Sequence, residues 1–215
     1  MTEQHAHAFD RAYWEEHWHQ RAAGEGSTGP AASPHLAPSP HLARELGDLP
    51  PGTALDAGCG EGAEARWLAE RGWQVTAVDI SATALERAAA RAGGERVQWV
   101  EADLADWAPD GQFDLVTTHY AHPAGPQLDF YARIAEWVAP GGTLLIVGHL
   151  HGHTAHVDGE HPPAEASVTA AAVTARLDRA AWVVVTATEG PRTLTAPSGR
   201  AVTLHDVVVR ATRRG

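Results

Sequence analysis

Three acidic residues stand at comparable places along the chain, each just after a short apolar run. Asp56 follows Ala54-Leu55, Asp79 follows Val75 to Val78, and Asp103 lies just beyond Val97 to Glu101. Between the first two comes Gly58-Cys59-Gly60-Glu61-Gly62. Glycines where a strand turns into a helix permit positive φ and let backbone approach a ligand closely. The helix N-terminus beyond them offers free N–H groups to an anionic group. Gly58, Gly60 and Ala63 also fit the dinucleotide pattern G-x-G-x-x-A, so the glycines alone do not choose the ligand. Asp56 narrows the choice, because a carboxylate there suits an ammonium group and repels a pyrophosphate. Asp79 is placed to accept both hydroxyls of a ribose. Asp103 can accept from an adenine amino group, with Ile80 and Leu104 against the ring faces. Three carboxylates at three successive strand ends would line one crevice, at the carboxyl edge where such sheets bind ligands.

A second set of residues suits proton chemistry. His119, Tyr120 and His122 follow the fourth apolar run, and His149 follows the fifth. His122 and His149 are expected to line the pocket of a second reactant, orienting or deprotonating it near neutral pH, since an imidazole titrates at about 6.5. His149, His151, His153, His156 and His161 make a histidine-rich stretch. Such a run can bind zinc or nickel. Here Gly152, Gly159 and the lack of a partner cysteine favour a solvated loop, and no metal is expected. Cys59, the sole cysteine, occupies a turn that needs a small side chain and is expected to carry no chemistry.

The elements that must position these residues alternate. Residues 9–22 read as an amphipathic helix, residues 24–40 as a Gly/Pro-rich loop, and His41 to Leu49 as a short helix. Strands are expected at 54–57, 74–78, 96–101, 113–118 and 143–147. Helices are expected at 63–71, from Ser81 as N-cap to Arg91, and at 128–138 before Pro140-Gly141-Gly142. A helix over 164–179 then precedes strands 182–188 and 202–211, separated only by the turn-rich stretch 190–200. Strands joined without a helix pair antiparallel. The fold class is therefore α/β: a Rossmann-like three-layer sandwich, with a mostly parallel seven-stranded sheet ending in an antiparallel hairpin. Residues 1–40 form an aromatic helix with a Pro-rich lid segment, and 41–215 the main domain, the two making one globular unit.

The chain has 215 residues, 44% of them apolar and 20% charged, which suits one packed domain. A formal net charge of -11 disfavours nucleic acid and anionic membranes as partners. The polar N-terminus, the absence of a membrane-length apolar run and the single cysteine fit a cytoplasmic protein. A monomer or homodimer is expected.

The run DAGCGEGAEARWLAERGWQVTAVDIS, with Phe113-Asp114-Leu115-Val116 and Pro140-Gly141-Gly142-Thr143-Leu144, resembles class I methyltransferases that use S-adenosylmethionine (SAM). It is most similar to the small-molecule branch with the tellurite-resistance and thiopurine enzymes. The resemblance covers about residues 9–150. It implies that Asp56, Gly58, Gly60 and Gly62 hold the methionine part, Asp79 the ribose, and Asp103 with Leu104 the adenine. It puts His119 beside the methionine or the transferred methyl. Trp14 and Trp18 resemble the W-x-x-x-W helix that covers the cofactor in thiopurine-type enzymes. The chain departs from the family at Pro38-Ser39, where relatives often carry Pro-Asn, so a contact through that amide is not carried over. The implied reaction is in-line methyl transfer to a small-molecule acceptor at sulfur or another chalcogen, a heteroaromatic nitrogen or oxygen, leaving S-adenosylhomocysteine (SAH). The alternatives are an NAD(P)-dependent oxidoreductase and a non-catalytic SAM/SAH-binding module.

Overall fold

The computed structural model describes residues 9–25, 37–150, 168–195 and 201–215. The first helix, α1 (Arg11–Glu25), starts two residues later than its apolar spacing suggests. Phe9 turns the chain with a φ of 44°, and the Asp10 side chain accepts from the Tyr13 N–H at 2.9 Å, so Asp10 caps the helix. Helix α2 (Pro40–Leu46) begins on Pro40, where the missing N–H is no loss, and the Ser39 hydroxyl accepts from the His41 N–H. It ends three residues before the expected Leu49.

The alternation then unfolds as β1 (Thr53–Ala57), α3 (Ala63–Glu70), β2 (Gln74–Asp79), α4 (Ala82–Ala90), β3 (Val97–Glu101), β4 (Phe113–His119), α5 (Gln127–Ala135) and β5 (Val138–His149). Helix α5 stops before the expected Val138, because the chain is already in strand there and the Pro140-Gly141-Gly142 turn falls within β5. Of the helix expected over 164–179, residues 164–167 lie outside the described residues, and the rest gives only α6 (Ala170–Thr174), capped by Thr169. Strands β6 (Trp182–Thr195) and β7 (Ala201–Arg213) close the chain. The stretch from Gly190, expected as a turn, continues as strand to Thr195, and Pro191 is tolerated because β6 is the sheet edge.

The sheet order is β3-β2-β1-β4-β5-β7-β6. The first five strands are parallel, and β7 pairs antiparallel with both β5 and β6. Strand parity sorts the core into two faces. Leu55, Val116, Leu144, Ile146, Val207 and Val209 pack toward α5 and α6, against Phe130, Ile134 and Val173. Ala54, Val75, Leu115, Leu145, Val147 and Val208 pack toward α2, α3 and α4, against Leu42, Leu68 and Leu85. By the same parity Asp56, His119 and Asp206 fall on the α2 side, at the carboxyl edge.

Candidate active site

Strand β1 ends one residue after Asp56, and the chain turns through Gly58 (φ 76°), Gly60 (φ 50°) and Gly62 (φ 69°) into α3. The Gly58 and Cys59 N–H groups both donate to the Val78 carbonyl, tying the turn to β2. Asp79 completes the tie: its Oδ2 accepts from the Gly60 N–H at 2.7 Å and its Oδ1 from the Ser81 N–H at 3.0 Å. The carboxylate expected to receive ribose hydroxyls thus also fixes the glycine turn.

The glycines have different neighbours. A Cβ on Gly60 would lie 3.0 Å from the Trp18 ring, so this glycine faces α1. A Cβ on Gly62 would lie 2.3 Å from the Trp99 ring, so Gly62 faces the packing between α3, α4 and β3. That ring fills the space a Gly62 side chain would need. Glu61 turns away too, pairing with Arg87 at 2.9 Å and Arg91 at 3.2 Å.

Asp56 is 1% exposed, and its Oδ2 has no hydrogen-bond partner among the described residues. Burial raises its pKa well above the usual carboxylate range, and the negative neighbours Glu64 and Asp79 add to the rise. Burial likewise raises Asp79, outweighing the N–H bonds from Ser81, Gly60 and Ile80, with Glu15 adding to the rise. Glu64 is raised by burial although the Ser39 N–H donates to it at 3.0 Å. Acidic groups crowded at the ends of β1 and β2 favour a cationic ligand, which would relieve both desolvation and mutual repulsion. The fully buried oxygen of Asp56 and the Gly60 cradle fit the ammonium and methionine part of SAM. Cys59 is buried beside the same acids and its thiol pKa is pushed up, which keeps it protonated and unreactive.

Asp103 begins a turn after β3, its Oδ1 accepting from the Ala105 N–H at 2.8 Å. The Leu104 carbonyl accepts from Arg133 Nε at 2.9 Å, and Ile80 and Leu104 are both half-buried. Helix α1 crosses this edge. Arg11 donates to the Ile80 carbonyl at 2.7 Å and pairs with Glu101. At the other side Trp14 Nε1 donates to the His122 carbonyl at 3.3 Å. Trp14 and Trp18 thus reach the β4–α5 loop and the glycine turn respectively, as residues i and i+4 on one helix face can.

The expected acceptor-side histidines come together. The His122 and His149 rings stack at 5.5 Å, and His122 stacks on Trp14 at 6.4 Å. Tyr120 packs against His149 at 4.6 Å, from a left-handed backbone with φ 55°. His119 is buried on the α2 side, its Nδ1 3.4 Å from the Thr117 hydroxyl. Burial lowers its pKa to about 3, His41 adding to the fall and Asp206 opposing it, so His119 is neutral at ordinary pH. His151, His153, His156 and His161 lie outside the described residues, and no group of metal-ligating side chains occurs among the described ones.

Sequence reasoning missed a polar network beside these rings. Asp206 Oδ2 accepts from His41 Nε2 at 2.9 Å and from Arg192 Nε at 2.6 Å, and the Arg192 guanidinium lies 5.0 Å from the Tyr120 ring centre. Arg44 donates to His41 Nδ1, so His41 carries its proton on Nε2. Burial pushes Asp206 up, but His41 and Arg192 more than reverse it and hold the carboxyl below its usual value. The available signal was Asp206 itself, an acid inside the Val-rich strand Leu204-His205-Asp206-Val207-Val208-Val209.

Comparison with known proteins agrees with this architecture. The family described as methyltransferase domain matches residues 54–142. An uncharacterized methyltransferase of Mycobacterium tuberculosis is 40% identical over 103 residues, covering 46% of this chain and 52% of that protein. A 2-heptyl-1-hydroxyquinolin-4(1H)-one methyltransferase of Mycobacteroides abscessus is 33% identical over 122 residues, covering 53% and 54%. The chain spans about half the length of these curated relatives. In fold it is similar to a 1,6-didemethyltoxoflavin-N1-methyltransferase of Burkholderia thailandensis, solved with S-adenosylhomocysteine. That likeness has a TM-score of 0.60 at 24% identity and covers 95% of this chain and 87% of the other. The glycine turn, the acidic strand ends and the antiparallel β7 are all in place, and over residues 54–142 the chain is similar to the methyltransferase domain family.

Proposed function

We propose that this chain transfers a methyl group from SAM to a small-molecule acceptor. The observation that carries the reading is the buried Asp56 oxygen, unpartnered among the described residues, beside Asp79 and the Gly60 turn, which suits a cationic amino acid joined to a ribose. When bound, SAM supplies an electrophilic methyl on sulfonium, which a nucleophile displaces in line. Asp56 Oδ2 accepts from the ammonium group, Asp79 shares its oxygens with the ribose hydroxyls, and Asp103 with Ile80 and Leu104 receives the adenine. Trp14 and Trp18 exclude water over the reacting centre. His122 and His149 orient the acceptor, and for an acceptor that arrives protonated one imidazole nitrogen takes the proton. His119, neutral and enclosed, acts by shape and hydrogen bonding instead.

A small acceptor is favoured by the stacked His122–His149 floor beneath α1 and by the formal net charge of -11, which opposes nucleic acid. The quinolone and toxoflavin enzymes named above act on small molecules, which supports the same class here. The likeness of residues 54–142 to the methyltransferase domain family supports this reading over the oxidoreductase alternative. The test is transfer of labelled methyl from SAM to thiols, heteroaromatic nitrogens and phenols. Label on a small acceptor supports the proposal, whereas bound SAM with label on no small acceptor favours the non-catalytic binding module.

A further inference from the structure

Helix α1 does more than place two tryptophans. Arg11, Glu15 and Trp18 recur at i, i+4 and i+7 and form one stripe. Each meets a different piece of the nucleoside side of the cleft: Arg11 the Ile80 carbonyl, Glu15 the start of α4, and Trp18 the Gly60 turn. Glu15 is the most tightly held. Its Oε1 accepts from the Ala82 N–H at 2.6 Å, and the hydroxyls of Ser81 and Thr83 and the Thr83 N–H also bond to it. Burial opposes ionisation, but these donors outweigh it and hold the carboxyl below its ordinary value. Ser81 satisfies the Ala84 N–H from within the chain of α4, and Glu15 satisfies Ala82 from another helix. It is a cap supplied in trans, where the helix dipole favours a negative charge. Arg87 of α4 completes the dock by donating to the Trp18 carbonyl at 3.4 Å.

This cap adjoins the residue expected to hold the ribose. Ser81 donates its N–H to Asp79, and the Glu15 charge is felt at Asp79. Any opening that lets a nucleoside pass between Trp18 and Gly60 must lift α1, and so must break the Glu15 bonds to α4. We propose that Glu15 is a positioning residue for the cofactor: by capping α4 it latches α1 over the ribose side of the cleft and sets the rate at which SAM and SAH leave. The proposal rests on the reading that the Asp56–Asp79 cleft holds SAM.

The test uses SAH as probe and stopped-flow tryptophan fluorescence, with Trp14 and Trp18 as reporters in α1. Glu15→Gln keeps the shape and removes the charge, and Thr83→Ala weakens the latch from the α4 side. Release of SAH should be about tenfold faster in Glu15→Gln and faster in Thr83→Ala, a size expected for lost charge-assisted hydrogen bonds. Glu16→Gln, one residue away and exposed, should match the unmodified protein. Melting temperatures separate a loosened latch from a damaged fold, since Thr83→Ala trims one hydroxyl and one methyl group from a half-buried side chain. Unchanged release in both latch variants, with SAH still bound at equilibrium, overturns the latch and leaves the cofactor reading standing. No SAH binding by the unmodified protein overturns both.

Discussion

The Asp79 carboxylate accepts the Gly60 N–H at 2.7 Å, so the last residue of β2 holds the turn that follows β1. On the proposed reading one acid does two tasks: it shapes the glycine turn and receives the ribose. Asp79→Ala is expected to lose charge-assisted hydrogen bonds worth about 1.5–3 kcal/mol, or roughly ten- to a hundredfold in SAH Kd. Part of that loss should appear as a lower Tm without ligand, because the turn loses its brace. Calorimetry and thermal melts on the same variant separate the two contributions, and an unchanged Kd would show that Asp79 only braces.

Asp56 should set function against stability. Its carboxyl pKa is raised in the folded protein, mainly by burial and then by Glu64 and Asp79. Between the ordinary carboxylate value and the raised one, the folded state binds more protons than the unfolded state, so this group lowers stability as pH rises. Without ligand, Asp56→Asn should therefore gain Tm relative to the unmodified protein as pH is raised through that window, while its SAM affinity falls. A constant Tm difference across pH would contradict the burial of an ionisable group at this site.

The three histidines of the proposed site should differ in their pH behaviour. His119 has its pKa depressed to about 3, so its cost to folding is absent above the ordinary imidazole value and grows as pH falls toward 3. His119→Gln should leave the acid limb of the activity profile in place. If the acceptor arrives protonated, His122→Gln or His149→Gln should remove that limb. An acid limb that vanishes only with His119 would reverse the assignment.

Gly62 should be intolerant for packing reasons. Alanine there adds a Cβ 2.3 Å from the Trp99 ring at a φ of 69°. Left-handed strain and overpacking together predict a loss of about 2–5 kcal/mol. The double variant Gly62→Ala/Trp99→Leu should recover the overpacking part, visible as coupling in a double-mutant cycle. Additive losses would place the cost in the backbone alone.

Asp206 should matter for stability as much as for the site. Asp206→Asn leaves Arg192, whose side chain is only 15% exposed, without its anion. Breaking such a pair costs about 3–5 kcal/mol, measurable by denaturant melts. A loss below about 1 kcal/mol would mean that Arg192 finds solvent when its partner is removed.

The order of elements, the glycine turn and the acids at the strand ends were legible because local chemistry dictates them. The glycine turn, the acids ending β1 and β2 and the Ser81 cap are each specified within a few residues of sequence. The antiparallel end was legible from two strands with no helix between them. Boundaries failed where tertiary contact overrides propensity, as where β6 runs through Pro191 because an edge strand can spare the N–H. The Glu15 cap and the Asp206 network were not legible, because their partners lie 67 and 165 residues away in sequence. Gly62 matched the cofactor pattern in sequence, but only the packed Trp99 shows what its missing side chain makes room for.

The most direct test of the central claim is a calorimetric titration of the purified protein with SAM and SAH, run beside Asp56→Asn and with NAD as a control. The account predicts saturable binding of both adenosyl ligands, a marked loss in Asp56→Asn, and no response to NAD. Failure of either adenosyl ligand to bind the unmodified protein, or binding of NAD in their place, would contradict it.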